Sequence, residues 1–263
     1  MKNNYSPAKF PRLRRVFFTA VPLLLALLWC DPKGDEIMKK HFALKKSEDA
    51  LSTASMILID KTGARKTRKI ISYSQETGEG KNTFIEFLEP ADVKGTRFLT
   101  IAHKNIDDEQ RLYLPALKKV RKIAASGKDG KFMGTDLYFY DMEDRNFEDQ
   151  NYTYIKDGTF EQKPCFIVEA VSKDPNAPYG KSLEWVSRDD YFIYKIEAYD
   201  KKSLSLVKTI VFLEIKNING VLIAHKTAVD NHKDIHKTLI SLDEVRINSG
   251  ISEKIFTVQN LEK

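Results

Sequence analysis

The stretch RLYLPALKKVRKIAASGKDGKFMGTDLYFYDMED, residues 111–144, decides how the rest of the chain is interpreted. It begins as a short β-strand that stops at Pro115 and continues through a basic run broken by Val120 and Ile123. A glycine-containing turn follows, and then an apolar and aromatic patch that ends in acidic residues. No motif of a nucleotide-binding or hydrolytic site fits this stretch. Its pattern alone indicates a strand–loop–strand connection with a solvated charged face.

The same stretch carries a resemblance to a family. LYLPALKKVRKIAASGKDGKFMGTDLYFYDM resembles the signature of the bacterial outer-membrane lipoprotein-sorting proteins, relatives of the carriers LolA and LolB. FIEFLEPADVKGTRFLT, residues 84–100, and ILIDKTGARKTRKI, residues 57–70, are similar to two further blocks of that family. The resemblance implies a mainly β fold: a strongly curved, incompletely closed antiparallel β-barrel with a few short helices across its concave face. It implies that this face holds acyl chains, and it implies no catalytic residue.

Composition indicates a globular protein without a nucleic-acid partner. The chain has 263 residues, of which 30% are charged and 42% are hydrophobic. Its formal net charge is +6, but five basic residues that precede the first acid, Asp31, supply most of it. These residues are Lys2, Lys9, Arg12, Arg14 and Arg15. The remaining chain is nearly neutral, which argues against a nucleic-acid-binding surface.

Residues 1–30 have the pattern of a signal peptide or an N-terminal membrane anchor. A basic segment precedes an apolar run of 15 residues, VFFTAVPLLLALLWC, which is shorter than the roughly 20 residues of a membrane-spanning helix. Cys30 directly after this run is a candidate for lipidation, although Trp29 is bulky where lipoprotein signals carry a small residue. The sequence therefore predicts a periplasmic protein, either free or anchored through Cys30 or an uncleaved signal.

The remainder, residues 35–263, is predicted to form one half-barrel domain. Residues 35–44 have helical periodicity, and about eleven closely spaced β-strands follow, which favours antiparallel neighbours. Asp157-Gly158 and Asn219-Gly220 are predicted to be tight hairpins. The tail, residues 252–261, fits a short helix or a last strand segment.

Alternation along the strands raises the question of a cavity. Ile85 and Phe87 share a face, and Leu99 shares one with Ile101. Such side chains either fill an ordinary barrel core or line a cavity that holds an apolar ligand, and the family resemblance favours the cavity. The predicted lining residues are Ile85, Phe87, Leu99, Trp185 and Tyr194.

The basic run cannot place all its charges on one face of a strand. In one interpretation, its side chains pair with acids that follow it in the sequence, Asp136, Asp141 and Glu143. In the other, Arg121 or Lys122 lies at the cavity mouth and meets a lipid head group.

Phe132 and Met133 are predicted to flank the acyl chain as a mobile gate. Gly130 and Gly134, on either side of this pair, supply the backbone freedom that such a movement requires.

Enzyme motifs are lacking, so we predict neither catalysis nor a cofactor nor a metal. His232 and His236 are four residues apart, but they lie in a predicted strand turn without an HExxH motif, and surface histidines explain them. No Ser lies in a G-x-S-x-G motif. Cys165 lies in a strand-like run and is predicted to be a buried structural thiol.

Two function classes remain. The first is a cell-envelope carrier that binds lipid or lipoprotein acyl chains on the way to the outer membrane. We expect it to be a monomer, and an inner-membrane exporter is a candidate partner because family members are often paired with one. The second is a structural, adaptor or lipid-sensing protein of the envelope.

Overall fold

The computed structural model describes residues 32–104 and 106–263, together with Met1. The predictions for residues 1–30, including the export signal and the lipidation of Cys30, lie outside the described residues.

One antiparallel sheet of thirteen strands forms the described chain. The strands are β1 (Asp49–Ile59), β2 (Arg65–Thr77), β3 (Gly80–Glu89), β4 (Arg97–Ile101), β5 (Glu109–Leu114), β6 (Lys119–Lys122), β7 (Gln150–Phe160), β8 (Lys163–Ser172), β9 (Tyr179–Ser187), β10 (Ile193–Asp200), β11 (Leu206–Ile218), β12 (Val221–Asn231) and β13 (His236–Ile247). Their order in the sheet is β6-β5-β4-β3-β2-β1-β13-β12-β11-β10-β9-β8-β7.

This order follows from two meanders that meet in the middle of the sheet. Short turns pair consecutive strands, and β1 joins the halves because it pairs with both β2 and β13. The end strands β6 and β7 do not pair with each other, so the curved sheet is an incompletely closed barrel. The predicted fold class is confirmed. The sequence pattern did not reveal β6, since the basic run that forms it lacks strand-like alternation of apolar residues.

Strand register defines the two faces of the sheet. Paired residues share a face, so Phe87 of β3, Ile70 of β2 and Ala54 of β1 lie together. Following these pairs across the sheet connects the same face to Lys208 of β11 and Val168 of β8. We call it the concave face.

Residues 125–145, here called the covering segment, fold over one end of the concave face as three 3-10 turns. Phe132, only 1% exposed, is at the centre of an aromatic cluster. Its ring centroid lies 4.9 Å from that of Phe98 and 5.9 Å from those of Phe87 and Phe139. The covering segment therefore fills this end of the barrel with a close-packed core.

Helix α1, Pro32–Phe42, covers the other end of the concave face and confirms the predicted helix. Its Ile37 and Met38 pack against side chains of β7, β8 and β9. Gly34 permits the close approach of the helix to the sheet, because a Cβ at this position would lie 2.8 Å from the backbone nitrogen of Tyr154. None of the helices in the described ranges has the length and hydropathy of a membrane span.

The opposite, convex face is covered by the C-terminal segment, which contains α2 (Val258–Leu261). Phe256 and Leu261 pack there against Phe84 of β3 and Leu99 of β4. The tail is thus a short helix, one of the two predicted alternatives.

The two predicted hairpins have different outcomes. Asn219 and Gly220 have φ values of 53° and 88° and form the tight turn between β11 and β12. Asp157-Gly158 is not a turn, and this prediction is wrong because β7 continues through it to Phe160. The hairpin turn lies instead at residues 161–162.

Candidate functional site

A cavity of about 440 Å³ remains open on the concave face between the covering segment and α1. It lies at the end of the half-barrel where strands β2 and β13 and helix α1 end, and where strands β1, β3 and β12 begin. We call it the central cavity. Its apolar lining consists of Phe42, Leu44, Ala50, Phe192, Val221, Leu222, Ile223, Leu242 and Val245. This volume falls in the range of about 300–1,000 Å³ that small-molecule sites occupy.

Charged side chains line the mouth of the central cavity. Lys46 pairs with Glu76 at 3.5 Å, and Lys81 pairs with Asp144 at 3.7 Å. These pairs are partly exposed, so each contributes little to stability. The cavity thus combines an apolar floor with a polar rim, as expected of a site for an amphiphile.

Arg145 also lines this cavity and, unlike Lys45, Lys46 and Lys81, it is partly buried. The preceding residue, Asp144, fixes its position through two hydrogen bonds. The Asp144 carboxylate accepts one from the backbone nitrogen of Lys81 at 3.1 Å, and the backbone nitrogen of Asp144 donates one to the Asp108 carboxylate at 2.9 Å. The guanidinium lies 4.4 Å from the ring centroid of Tyr140 and donates to the Tyr140 carbonyl at 3.1 Å. Arg145 therefore has a defined orientation towards the cavity.

A small polar pocket of about 50 Å³ adjoins the central cavity and shares Arg145 with it. Glu184 of β9, 6% exposed, lines the pocket, and its Oε1 accepts a hydrogen bond from Ser182 at 3.2 Å. Burial raises the pKa of Glu184 from 4.5 to about 7. The hydroxyl of the nearby buried Tyr152 has no hydrogen-bond partner among the described residues. The pocket thus places a buried carboxyl group, Glu184, beside the guanidinium of Arg145.

Glu184→Gln is expected to stabilise the protein at alkaline pH. The raised pKa means that the folded state binds this proton more tightly than the unfolded state, so the wild type loses stability as pH rises from about 4.5 through about 7. Glutamine does not ionise, so the stability gap in its favour should grow from near zero at pH 4.5 towards about 3 kcal/mol at pH 8.

Urea unfolding of both proteins across this pH range measures the gap. Glu161→Gln, in the exposed turn between β7 and β8, controls for the general effect of removing one negative charge. A gap that does not change with pH contradicts the assignment of Glu184.

The structure does not bring the five predicted lining residues together. Ile85 and Phe87 lie on the concave face, but under the covering segment. Leu99 pairs with Phe84 and lies on the convex face. The expectation that these side chains line one surface is corrected, because the register aligns Leu99 with Phe84 and not with Ile85.

The other two predicted lining residues also lie elsewhere. Trp185 pairs with Ile167 on the convex face, where Lys195 Nζ lies 4.2 Å from its ring centroid. Tyr194 stacks on Phe160 with ring centroids 6.2 Å apart and packs against Phe192, which lines the central cavity, but Tyr194 itself does not line it. Successive residues of a strand alternate between faces, so the correction for Trp185 follows from register as well.

The two predicted head-group residues do not reach the cavity. Arg121 and Lys122 are exposed on the end strand β6 and point to opposite faces. The acids predicted as their partners pair elsewhere: Asp136 with His236, Asp141 with Lys208, and Glu143 with Lys128. Unpaired basic residues on an end strand protect its free edge from pairing with other chains.

The gate residues Phe132 and Met133 occupy different environments. Phe132 is fully buried in the aromatic cluster, whereas Met133 is partly exposed with a φ of 49°. The Met133 carbonyl accepts a hydrogen bond from Arg68, which ties this turn to β2. A gate at these positions stays a prediction, and their packing favours a role in the core.

The histidine pair lies at the turn between β12 and β13. His232 contacts the hydroxyl of Thr209 at 2.8 Å, and His236 contacts the buried carboxylate of Asp136 at 2.7 Å. Within residues 32–104 and 106–263, no three His, Cys, Asp or Glu side chains are grouped to hold a metal. Cys165 is buried, as the sequence predicted.

The sequence did not point to the residues that line the central cavity. Ala50 and Ser52 are small residues on β1, and their type gives no sign of a site. Arg145 and Glu184 lie far apart in the sequence. The sequence clue that could have identified Arg145 is its position directly after the signature stretch, residues 111–144.

Comparisons with known proteins agree with the fold. A family model described as an uncharacterized protein matches residues 79–263. No curated protein matches the chain. An outer membrane lipoprotein-sorting protein domain from Vibrio parahaemolyticus is 32% identical over 88% of this chain and 99% of its own, with a TM-score of 0.84.

Two further solved structures are similar. A DUF1329 family protein from Desulfovibrio piger is 27% identical over 88% of this chain and 99% of its own, with a TM-score of 0.84. A LolA superfamily protein from Nitrosomonas europaea is 17% identical over 86% of this chain and 98% of its own, with a TM-score of 0.68. The last likeness establishes the fold alone.

Proposed function

This chain belongs to the outer-membrane lipoprotein-sorting protein family with a LolA-like fold, and from this premise we propose that it is a non-enzymatic carrier of the cell envelope. It binds the acyl chains of a lipid or lipoprotein in the central cavity and delivers them towards the outer membrane.

One observation carries this proposal. The covering segment and α1 close the two ends of the concave face, but the space between them is left unfilled and has an apolar lining. The apolar lining of this open cavity is exposed to solvent, so a ligand that covers it gains the free energy of apolar burial. Buried acyl chains contribute about 0.8 kcal/mol per CH₂ group, which is ample for binding.

The proposal includes a location and partners. Residues 1–30 direct export, and the carrier works in the periplasm as a monomer, either free or held at the membrane through Cys30 or the uncleaved signal. An inner-membrane exporter hands over the cargo. N-terminal sequencing of the mature protein tests the first part, and fatty-acid labelling of the wild type and Cys30→Ala tests lipidation. A product that starts at Met1 and stays in the cytoplasm contradicts the carrier function.

Ser52→Trp is expected to weaken acyl-chain binding strongly by filling part of the central cavity. Ser52 lines the cavity from β1, and an indole there occupies space that an acyl chain needs. Titration with a fluorescent fatty-acid analogue should show at least about a tenfold loss of affinity, which corresponds to about 1.4 kcal/mol.

Thr53→Trp is the matched control. Thr53 is the next residue of the same strand and points to the other face, so this variant should bind as tightly as the wild type. Equal affinity of all three proteins means that the ligand binds outside the central cavity. A wild type that binds no acyl probe favours the structural or adaptor alternative.

A further inference from the structure

Arg145 is a cation whose neighbouring carboxylates are already engaged. Asp141 pairs with Lys208 at 2.6 Å, and Glu143 pairs with Lys128. Within the part of the chain that the structure describes, no carboxylate lies within ion-pair distance of the Arg145 guanidinium. Burial disfavours the charged form, but nearby groups, Asp141 and Glu143 among them, raise the pKa of Arg145 and keep it charged. Neither carboxylate makes a direct ion pair with it, so the guanidinium is free to contact a bound anion.

Arg145 lies where pockets meet, and on one side it borders a polar groove of about 260 Å³ that contains Asp108 and Asp149. The same side chain lines the apolar central cavity and the small polar pocket beside it. Among the described residues, the guanidinium donates one hydrogen bond, to the Tyr140 carbonyl, although it has five N–H donors. Donors therefore remain for a planar oxyanion, which arginine binds in bidentate fashion.

We propose that Arg145 is the anion subsite of the central cavity, and that it binds the carboxylate or phosphate of an amphiphile whose acyl chain lies on the apolar floor. This inference rests on the proposed carrier function and names its ligand class. It transfers the head-group role from Arg121 and Lys122, which are exposed on β6, to a cation that lies inside the concave face.

Three probes of equal chain length test the inference: hexadecanoate, its methyl ester and hexadecyl phosphate, each competing with a fluorescent acyl probe at one ionic strength. The wild type should bind hexadecanoate at least about tenfold more tightly than the ester, as expected for a charge-assisted bidentate contact. Stronger binding of hexadecyl phosphate than of hexadecanoate assigns a phosphate head group, and the reverse order assigns a free carboxylate.

The variants separate this contact from general electrostatic attraction. Arg145→Gln should lose the preference for the anions and keep the affinity for the ester, whereas Arg145→Lys should retain part of the preference. Arg246→Gln removes an exposed arginine of β13 that does not line the cavity, and this variant should retain all of the preference.

Wild-type protein that binds the acid and the ester equally well overturns the inference and leaves the carrier function intact. An equal loss of preference in Arg246→Gln and Arg145→Gln also overturns it. If none of the probes binds, the carrier function itself fails, and the subsite fails with it.

Discussion

Asp141→Asn is expected to lower the free energy of unfolding by about 3–5 kcal/mol, because it leaves a buried lysine without its counter-ion. Asp141 lies in the covering segment and pairs with Lys208 of β11 at 2.6 Å, and the lysine side chain is only 1% exposed. Burial lowers the pKa of Lys208, and Asp141 opposes that effect. Tyr179 accepts a further hydrogen bond from the Lys208 ammonium group. This cluster fastens the covering segment to the second half of the sheet.

Urea unfolding at pH 7 measures the loss, and two comparisons interpret it. The double variant Asp141→Asn with Lys208→Met should be more stable than Asp141→Asn alone, since the unpaired charge is gone. Asp230→Asn removes the carboxylate of an exposed Lys–Asp pair, Lys237 with Asp230, and should cost less than about 1 kcal/mol. A similarly small loss for Asp141→Asn contradicts a fastening role for the buried pair.

Phe132→Ala is expected to lower the free energy of unfolding by about 3–5 kcal/mol, as for other fully buried aromatic residues. Phe132 contacts the rings of Phe87, Phe98 and Phe139, so its removal leaves a cavity at the centre of the cluster. Met133→Ala is the neighbouring control and should cost less, because Met133 is only partly buried.

Phe132→Ala also tests whether Phe132 acts as a gate. Stopped-flow rates of uptake and release of a fluorescent fatty acid should be unchanged in Phe132→Ala under conditions where it is fully folded, if Phe132 belongs to the core. Faster uptake and release without a loss of stability supports a gate at Phe132 and contradicts its assignment to the core.

Much of the fold could be predicted from the sequence, because strand alternation and turn chemistry are local. Asn219-Gly220 formed its hairpin since both residues tolerate a positive φ. Gly158 misled the prediction for another physical reason. It lies within β7, where a Cβ would be 2.6 Å from Ile167 Cδ1 of the paired strand, so this glycine fits against a cross-strand side chain and does not form a turn.

The candidate site could not be predicted because it depends on register and on long-range pairing. The sequence correctly placed Ile85 with Phe87 and Leu99 with Ile101, but it could not tell which pair faces the concavity. The idea that the signature stretch carries buried charges was correct in kind. The partner of Asp141 was misassigned, because Lys208 lies 67 residues further along the chain.

The most direct test of the carrier function is the lipid content of the protein as it leaves the cell. The wild type, Ser52→Trp and Thr53→Trp are purified from the envelope without detergent, extracted with organic solvent and analysed by quantitative mass spectrometry. The account predicts close to one acyl-bearing molecule per protein in the wild type and in Thr53→Trp, and strong depletion in Ser52→Trp. A wild type free of lipid, or equal lipid in all three proteins, would contradict a carrier that uses the central cavity.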